Sequence, residues 1–299
     1  MRAFDQLQER LADALFHVVA GPDGKAAQLR IHGTPGPRWF APDSAIAHVH
    51  GDTSMYVGGL RALMMQSLHP TAMWAVAEHS GYRGDMFGRL ARTSTFLATT
   101  TFGAASDAEE SVALVNRIHQ GVRGTLPDGT PYVAADPHLL AWIHAAEVDS
   151  FLTAHQHFGA APLDPAGCDA YLADTATIAR RLGVIDPPTT VAALTETLAA
   201  YRPELRGTPE AVDAIAYVRT QPPLSRQARP GYAVLWAAAV SLMPAWTRTE
   251  LGLAPLTRRH TQLATVGGHA ATKTLRWVTK PLVARARALE AAALTPTQR

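Results

Sequence analysis

The sequence predicts an all-α protein that folds as a single globular helical domain. Apolar residues recur at helical spacing along most of the chain, as in residues 5–19, where Leu7, Leu11 and Leu15 share one face. The sequence contains no alternation of strand and helix patterns, no glycine-rich phosphate loop and no internal repeat. Of its 299 residues, 47% are hydrophobic and 17% are charged, which is enough apolar material for a large core.

The first half of the chain predicts a series of helices separated by turns. An N-terminal helix spans residues 3–20, and the glycine- and proline-rich residues 22–42 leave room for one short strand, at 27–32. Asp43 would cap a short helix, and Asp52 a longer one that runs to Leu68. Pro70 ends that helix and suits the first turn of the next, which runs through Glu78.

Two consecutive helices in the middle of the chain carry most of the candidate functional residues. The first runs from Asp85 to about Phe102. Ser106 and Glu109 match a capping box, which would open the second helix; this helix runs to about Val122 and closes at Gly124.

The remainder of the chain is also predicted to be helical, after one small hairpin. Asp-Gly turn chemistry in residues 125–135 predicts the hairpin, and Asp136-Pro137 begins a long helix from His138 to His157. Further helical patterns cover residues 164–183, 189–202, 208–219, 231–251 and 257–293. The last of these contains candidate breaks at Gly267-Gly268 and Pro281.

Composition excludes several classes of function. Cys168 is the only cysteine, so an intramolecular disulfide and thiolate-ligated zinc or iron–sulfur sites are excluded. The net charge of +2 comes without a clustered basic face, so we expect no nucleic-acid partner. The N-terminus lacks a signal-peptide pattern, and the apolar run 231–246 contains Pro244 and is shorter than the ~20 residues of a spanning helix. We therefore expect a cytoplasmic protein without stable membrane insertion.

Arg89, Arg92 and Thr93 form the first candidate site. At positions i, i+3 and i+4 of a helix they share one face, among apolar neighbours. Buried guanidinium groups require an anionic or polar partner. Two interpretations stay open: a bound ligand, or ion pairs with the acidic residues 107, 109 and 110 of the next helix.

Thirteen histidines are present, but none belongs to a standard metal-binding motif. The pairs His48/His50 and His155/His157 are two residues apart, which points the rings in different directions on a helix, so we interpret them as surface or capping residues. His119 lies on an apolar helical face, with Arg123 one turn further at i+4. Taken alone, this pattern fits a core histidine as well as a ligand.

Several short segments occur in a characteristic order. They are His69-Pro70, Ser80-Gly-Tyr82, Arg89-Leu-Ala-Arg-Thr93, Phe102-Gly103, His119 with Gly124, residues 127–132, Asp136-Pro137 and residues 140–144. Over about residues 45–255, this ordered set resembles the MpaB-type oxygenase family, which includes the latex-clearing proteins, or rubber oxygenases.

The resemblance implies a globin-related helical core, over about residues 43–255, that binds haem b. It implies His119 as the proximal ligand of the haem iron and places the distal polar side chains of the family at Arg89, Arg92 and Thr93. Arg123 matches a family arginine near the haem. Residues 243–248 resemble a C-terminal family element that ends in an arginine, here Arg248.

A haem also needs an apolar slot and cations for its propionates. The residues that we expect to line the slot are Met73, Phe96, Leu97, Leu114, Val115 and Trp142. Arg117, Arg123 and Arg248 are the candidate propionate partners. The expected function is therefore a haem-dependent oxygenase that acts with O₂ on a small apolar substrate, such as an isoprenoid or another unsaturated chain.

Two departures from the rubber oxygenases limit this expectation. Arg92 stands where they carry a lysine that can cap the iron, and arginine is a very poor iron ligand. Residues 71–75 lack the catalytic glutamate of those enzymes, so rubber cleavage itself is not implied. The alternatives are a haem or lipid carrier without turnover, a helical protein without cofactor, and a metal hydrolase, for which no ligand triad is visible in the sequence.

Overall fold

The computed structural model describes residues 3–79, 86–222 and 224–294, and these residues confirm the all-α prediction. The Ser80-Gly-Tyr82 segment and Asp85 lie outside the described residues. Within the described part, the helices are α1 Ala3–Ala20, α2 Gly24–Gly33, α3 Ala45–His50, α4 Met55–Gln66, α5 Pro70–His79, α6 Met86–Phe102, α7 Ala105–Gly121, α8 Pro137–Phe158, α9 Pro165–Arg181, α10 Val191–Tyr201, α11 Pro209–Thr220, α12 Arg229–Ser241, α13 Ala245–Glu250 and α14 Arg258–Leu294. A 3-10 helix spans Arg202–Glu204, and strands β1 Arg123–Thr125 and β2 Pro131–Val133 form the predicted antiparallel hairpin.

The centre of the molecule is the crossing of α4 and α8. Gly58 makes this close approach possible, because a Cβ atom there would lie 2.9 Å from Cδ1 of Phe151 and 3.1 Å from its Cα. The predicted start of α8 is confirmed, since the Asp136 side chain accepts hydrogen bonds from the backbone N–H groups of His138 and Leu139. Helix α8 therefore forms the shared wall of two apolar clusters, one towards α11 and α12 and the other towards α3 and α9.

A buried ion pair joins the two central helices. The Arg61 guanidinium on α4 is only 4% exposed, and its Nη1 lies 2.7 Å from Oδ2 of Asp149 on α8. The same nitrogen donates to Oγ of Ser150 at 2.8 Å, and Nε donates to the Leu242 carbonyl at 3.2 Å. The buried charge is thus paired and hydrogen-bonded within the protein, as burial requires.

Helices α6 and α7 form an antiparallel hairpin that turns at Gly103. Helix α6 also packs against α1, α2 and α3. Arg30 of α2 pairs with Asp107 at 2.8 Å and with Glu110 at 2.5 Å, both on α7. Asp107 and Glu110 are two of the three acidic residues that the sequence analysis considered as ion-pair partners of Arg89 and Arg92. Both therefore pair with an arginine of another helix, α2.

The last helix runs unbroken through both of its predicted break points. At Gly268 an added Cβ would lie 2.6 Å from the Phe158 ring, and at Gly267 it would lie 3.1 Å from Val234. The two glycines therefore allow close packing of α14 against α8 and α12, and they do not interrupt the helix. Helix α1 packs on the distal half of α14, where Arg285 binds Asp13 at 2.7 Å and also Glu9.

Several predicted elements were wrong in detail. The expected strand at 27–32 is part of α2, because Lys25-Ala-Ala-Gln-Leu-Arg30 consists of good helix formers. The capping box is absent, since α7 begins after Ala104, which makes no side-chain cap, and Ser106 lies inside the first turn. The pattern at 231–251 is two helices, α12 and α13, separated at Met243-Pro244 because proline cannot continue a helix.

The predicted caps of α3 and α4 lie slightly off their positions. Ser44 rather than Asp43 caps α3, by accepting a hydrogen bond from the Ala47 N–H. Helix α4 starts at Met55, and the Asp52 carboxylate instead accepts from the Ser54 N–H and pairs with Arg276 of α14. Among the described residues, no helix combines the length and the apolar character that crossing a membrane requires.

Candidate functional site

Arg89, Arg92 and Thr93 lie in the first two turns of α6, at the helical spacing that the sequence predicted. Arg89 is half-buried, whereas Arg92 and Thr93 are exposed. The helix therefore presents two guanidinium groups and a hydroxyl near the open end of the hairpin. Along the chain, Arg89 lies 14 residues before the turn at Gly103 and His119 lies 16 residues after it.

His119 lies in the last turn of α7, with its ring half-buried. Its Nδ1 atom is buried and has no hydrogen-bond partner among the described residues. Burial lowers the pKa of His119, so the imidazole is neutral at pH 7. A neutral ring with an unsatisfied nitrogen is the form of histidine that ligates a metal.

Arg123 is not on the helical face of His119, which corrects the predicted i+4 relation. Helix α7 ends at Gly121, because Val122 is extended and its carbonyl accepts a hydrogen bond from the Ala134 N–H. Arg123 then begins β1, and its exposed guanidinium donates to the Gln120 carbonyl at 2.6 Å.

The other two predicted propionate partners lie in different parts of the fold. Arg117 is exposed on α7, two residues before His119. Arg248 is half-buried in α13, where it donates to the Met243 carbonyl of its own segment.

The six predicted slot residues fall into separate groups. Phe96 and Leu97 of α6 pack against the apolar cluster of α3, α8 and α9. Trp142 and Met73 belong to the other cluster, and the Trp142 ring lies 5.4 Å from that of Tyr201. On α7, Leu114 is exposed and Val115 is half-buried. The structure thus groups Phe96 with Leu97, and Trp142 with Met73.

One side of α8 carries two titratable residues that were not singled out in the sequence. His144 and Glu147 share that side with Phe151, at successive helical spacings. Burial lowers the pKa of His144 to about 4, and its Nε2 is buried without a hydrogen-bond partner among the described residues. Burial also raises the pKa of Glu147 to about 7, against a hydrogen bond from Gln66 that favours the charged form. Their helical spacing relative to Phe151 could have identified them in the sequence, because it places two polar residues on an otherwise apolar side of the helix.

Comparison with known protein families now bears on this arrangement. The model of the family described as ER-bound oxygenase mpaB/B'/Rubber oxygenase, catalytic domain, matches residues 47–277. The chain belongs to this family. The match confirms the resemblance seen in the sequence and assigns the chain to a family of oxygenases, which are enzymes of the oxidoreductase type. No curated protein and no solved structure matches the chain.

Two histidines of this oxygenase-family domain lie deeper than the surface or capping roles that the sequence suggested. His50 is half-buried and lies 2.8 Å from Oγ1 of Thr101 through Nδ1 and 3.3 Å from the Tyr171 hydroxyl through Nε2. Desolvation lowers its pKa to about 3. His155 is fully buried, and within the described chain neither of its ring nitrogens has a hydrogen-bond partner. The surface interpretation is therefore wrong for His155.

The oxygenase-family domain also contains a group of three residues that the sequence did not bring together. His69 precedes α5, His138 lies in the first turn of α8, and Glu204 ends the 3-10 helix. One ligand atom from each lies within 4.8 Å of the others. No metal-ligand triad was visible in the sequence. The structure corrects this, because three segments that are distant in the chain bring such a triad together.

Proposed function

We propose that the protein is a haem b-dependent oxygenase that uses O₂ to oxidise a small, apolar, unsaturated substrate. Membership of the oxygenase family supports the reaction class. The observation that carries the cofactor assignment is the half-buried, neutral imidazole of His119, whose Nδ1 has no partner among the described residues. A buried polar atom without a partner is rare in proteins and indicates a missing ligand or a functional role.

The residues around His119 fit the requirements of a haem. Leu114 and Ile118 of α7 are 51% and 53% exposed, and Leu90 of α6 is 43% exposed. Large apolar side chains left exposed on these two helices are consistent with a surface that binds an apolar ligand. Arg117 and Arg123 flank His119 in the sequence and are exposed, so they are available to pair with the propionate carboxylates.

Haem b, when bound, would supply the redox-active iron that allows O₂ to react with a carbon framework. The protein's own side chains would provide the surroundings. We propose His119 as the iron ligand, and Arg89, Arg92 and Thr93 as hydrogen-bond donors that orient O₂ or a polar atom of the substrate. An arginine side chain is a hydrogen-bond donor and a very poor iron ligand, so we assign Arg92 the role of a donor.

The apolar character of the hairpin favours a hydrocarbon-like substrate, such as an isoprenoid. Residues 71–75, where the rubber oxygenases carry their glutamate, supply no carboxylate, and Ala72, Met73 and Ala75 are buried. The proposal is therefore oxidation of a small unsaturated molecule, and cleavage of rubber is not part of it.

An absorption spectrum of the purified full-length protein, oxidised and then reduced with dithionite after reconstitution with haem b, tests the cofactor assignment. We expect a Soret band that His119→Ala shifts or removes, because the iron loses its protein ligand. His157→Ala is the matched control, since His157 is exposed and its Nδ1 bonds to the Thr153 carbonyl of its own helix. A normal Soret band in His119→Ala would contradict the assignment, and its loss in His144→Ala alone would move the ligand to α8.

Oxygen uptake with squalene as the apolar alkene tests the reaction. We expect uptake by the haem-loaded protein that depends on squalene and is lost in His119→Ala. Tight haem binding without uptake across a series of apolar alkenes would instead support a haem or lipid carrier.

A further inference from the structure

We infer that His69, His138 and Glu204 bind one divalent metal ion of the zinc class, at a site that shares no residue with the proposed haem site. Two imidazoles and one carboxylate form a ligand set that zinc and similar transition metals use in proteins. The three residues come from segments far apart in the chain, so the fold itself assembles the set.

The distances are close to those of a metal centre. Nε2 of His138 lies 2.9 Å from Oε2 of Glu204, and Nε2 of His69 lies 3.6 Å from the same oxygen. Around a tetrahedral zinc ion, with ligand bonds of roughly 2.0–2.2 Å, neighbouring ligand atoms are about 3.4 Å apart. Small side-chain rotations would therefore accommodate the ion.

Tyr201 holds the His138 ring in place. Its hydroxyl donates to the His138 carbonyl at 2.7 Å and lies 3.2 Å from Nδ1 of the same residue. Nε2 of His138 lies 3.0 Å from Oε1 and 2.9 Å from Oε2 of Glu204. The ring nitrogen and the carboxylate that would bind the ion therefore already face each other.

His69 supplies the observation that favours a bound ion. The residue is 7% exposed, and neither ring nitrogen has a hydrogen-bond partner among the described residues. A buried polar atom without a partner is costly. A metal ion at the centre of the three residues would give Nε2 of His69 a partner.

The three residues are open to solvent on one side and are held in position by the backbone on the other. The side chains of His138 and Glu204 are 59% and 43% exposed, so one side of the site faces solvent. The Arg206 N–H donates to the Leu68 carbonyl at 2.9 Å, which fixes the segment after Glu204 beside His69. The ion would therefore join the start of α5, the start of α8 and the 3-10 helix, as a structural metal does.

Binding of Co²⁺, which absorbs visible light when bound by nitrogen and oxygen ligands, tests the site. The full-length protein is first treated with a chelator and then titrated with Co²⁺, followed by displacement with Zn²⁺. We expect one equivalent of Co²⁺ to bind, with absorption bands that Zn²⁺ removes. His138→Ala and Glu204→Gln should each weaken binding by about 100-fold or more, since removing an outer-shell partner alone costs 10–100-fold.

His260→Ala and Glu196→Gln are the matched controls, because both residues are exposed on other helices. Circular dichroism of each variant establishes that it folds. Binding that persists in His138→Ala and Glu204→Gln, or no binding by the folded wild-type protein, would overturn the inference and leave an ordinary hydrogen-bonded cluster. The Soret band plays no part in this test, so failure of the haem proposal would not affect its outcome.

Discussion

The central α4–α8 pair and the α6–α7 hairpin both carry arginines on apolar helices, but they use them differently. In the central pair, Arg61 is buried and bonds to Asp149, Ser150 and the Leu242 carbonyl. In the hairpin, Arg92 is exposed, and Asp107 and Glu110 pair with Arg30 instead. In the sequence, Arg61 and Arg92 both lie among apolar residues of a predicted helix. The difference is in burial: the Arg61 side chain is enclosed by the fold, whereas Arg92 lies at the surface.

This comparison separates charges that hold the fold from charges that are accessible to a ligand. A buried, fully bonded guanidinium contributes to stability mainly because its removal leaves an uncompensated carboxylate. An exposed guanidinium contributes little to stability, so Arg92 should be replaceable with little loss in the free energy of unfolding.

The largest effect should come from Arg61→Ala. We expect a loss of about 3–5 kcal/mol in the free energy of unfolding, because the half-buried Asp149 carboxylate and the Ser150 hydroxyl would lose the buried guanidinium to which they bond. Arg92→Ala, in contrast, should cost less than about 0.5 kcal/mol. Urea unfolding of both variants measures the difference, and equal losses would remove the distinction between the two regions.

A smaller effect is expected at Glu147, where the central pair holds a carboxyl group next to Gln66. Because folding raises its pKa from 4.5 to about 7, the folded state binds the proton more tightly than the unfolded state. The stability of the wild-type protein should therefore fall as the pH rises from 4.5 through 7, by about 3 kcal/mol from this group. Glu147→Gln has no charge to bury, so its advantage over wild type should grow by that amount between pH 4.5 and pH 8.

Glu109→Gln serves as the control for this measurement, because Glu109 is exposed on α7. Thermal unfolding at both pH values gives the comparison. If the advantage of Glu147→Gln is the same at both pH values, the carboxyl group is not desolvated and α8 carries no buried charge at this position.

The smallest effect on stability, but a measurable effect on turnover, is expected in the hairpin. Arg89→Ala and Arg92→Ala should each reduce substrate-dependent oxygen uptake about tenfold or more, since a hydrogen bond from a charged donor is worth about 1.5–3 kcal/mol. Arg259→Ala is the control, because Arg259 is exposed on α14 and has no part in the proposed site. If oxygen uptake is unchanged in both alanine variants, Arg89 and Arg92 take no part in turnover.

The elements that could be predicted from the sequence depend on local signals. Asp136-Pro137 marks the start of α8, and the turn residues within 125–135 mark the β1–β2 hairpin. Both signals are local, because capping and turn chemistry act over a few residues. The break at Pro244 was available from the same rules but was assigned to a continuous helix. At Gly267-Gly268 the local signal was misleading, because packing against Phe158 determines the conformation there.

The candidate sites depend on contacts that no local pattern shows. The spacing of Arg89, Arg92 and Thr93 on α6 was predictable, whereas the missing partner of His119 Nδ1 depends on the neighbours that the fold provides. His69, His138 and Glu204 are distant in the chain and meet only in the folded protein. Arg123 lies outside the predicted helix because the Val122 carbonyl accepts a hydrogen bond from the Ala134 N–H, after strand β2. This is also a non-local effect.

The packing of α1 on α14 has a consequence for biosynthesis. The Gln8 side chain bonds to the Trp277 carbonyl, and the Phe4 and Trp277 rings lie 5.0 Å apart, so the first described helix rests on the last. At a translation rate of roughly 5–20 residues per second, Phe4 and Gln8 are made many seconds before Trp277. The contact between α1 and α14 can therefore form only late in synthesis, after most of the chain has been made.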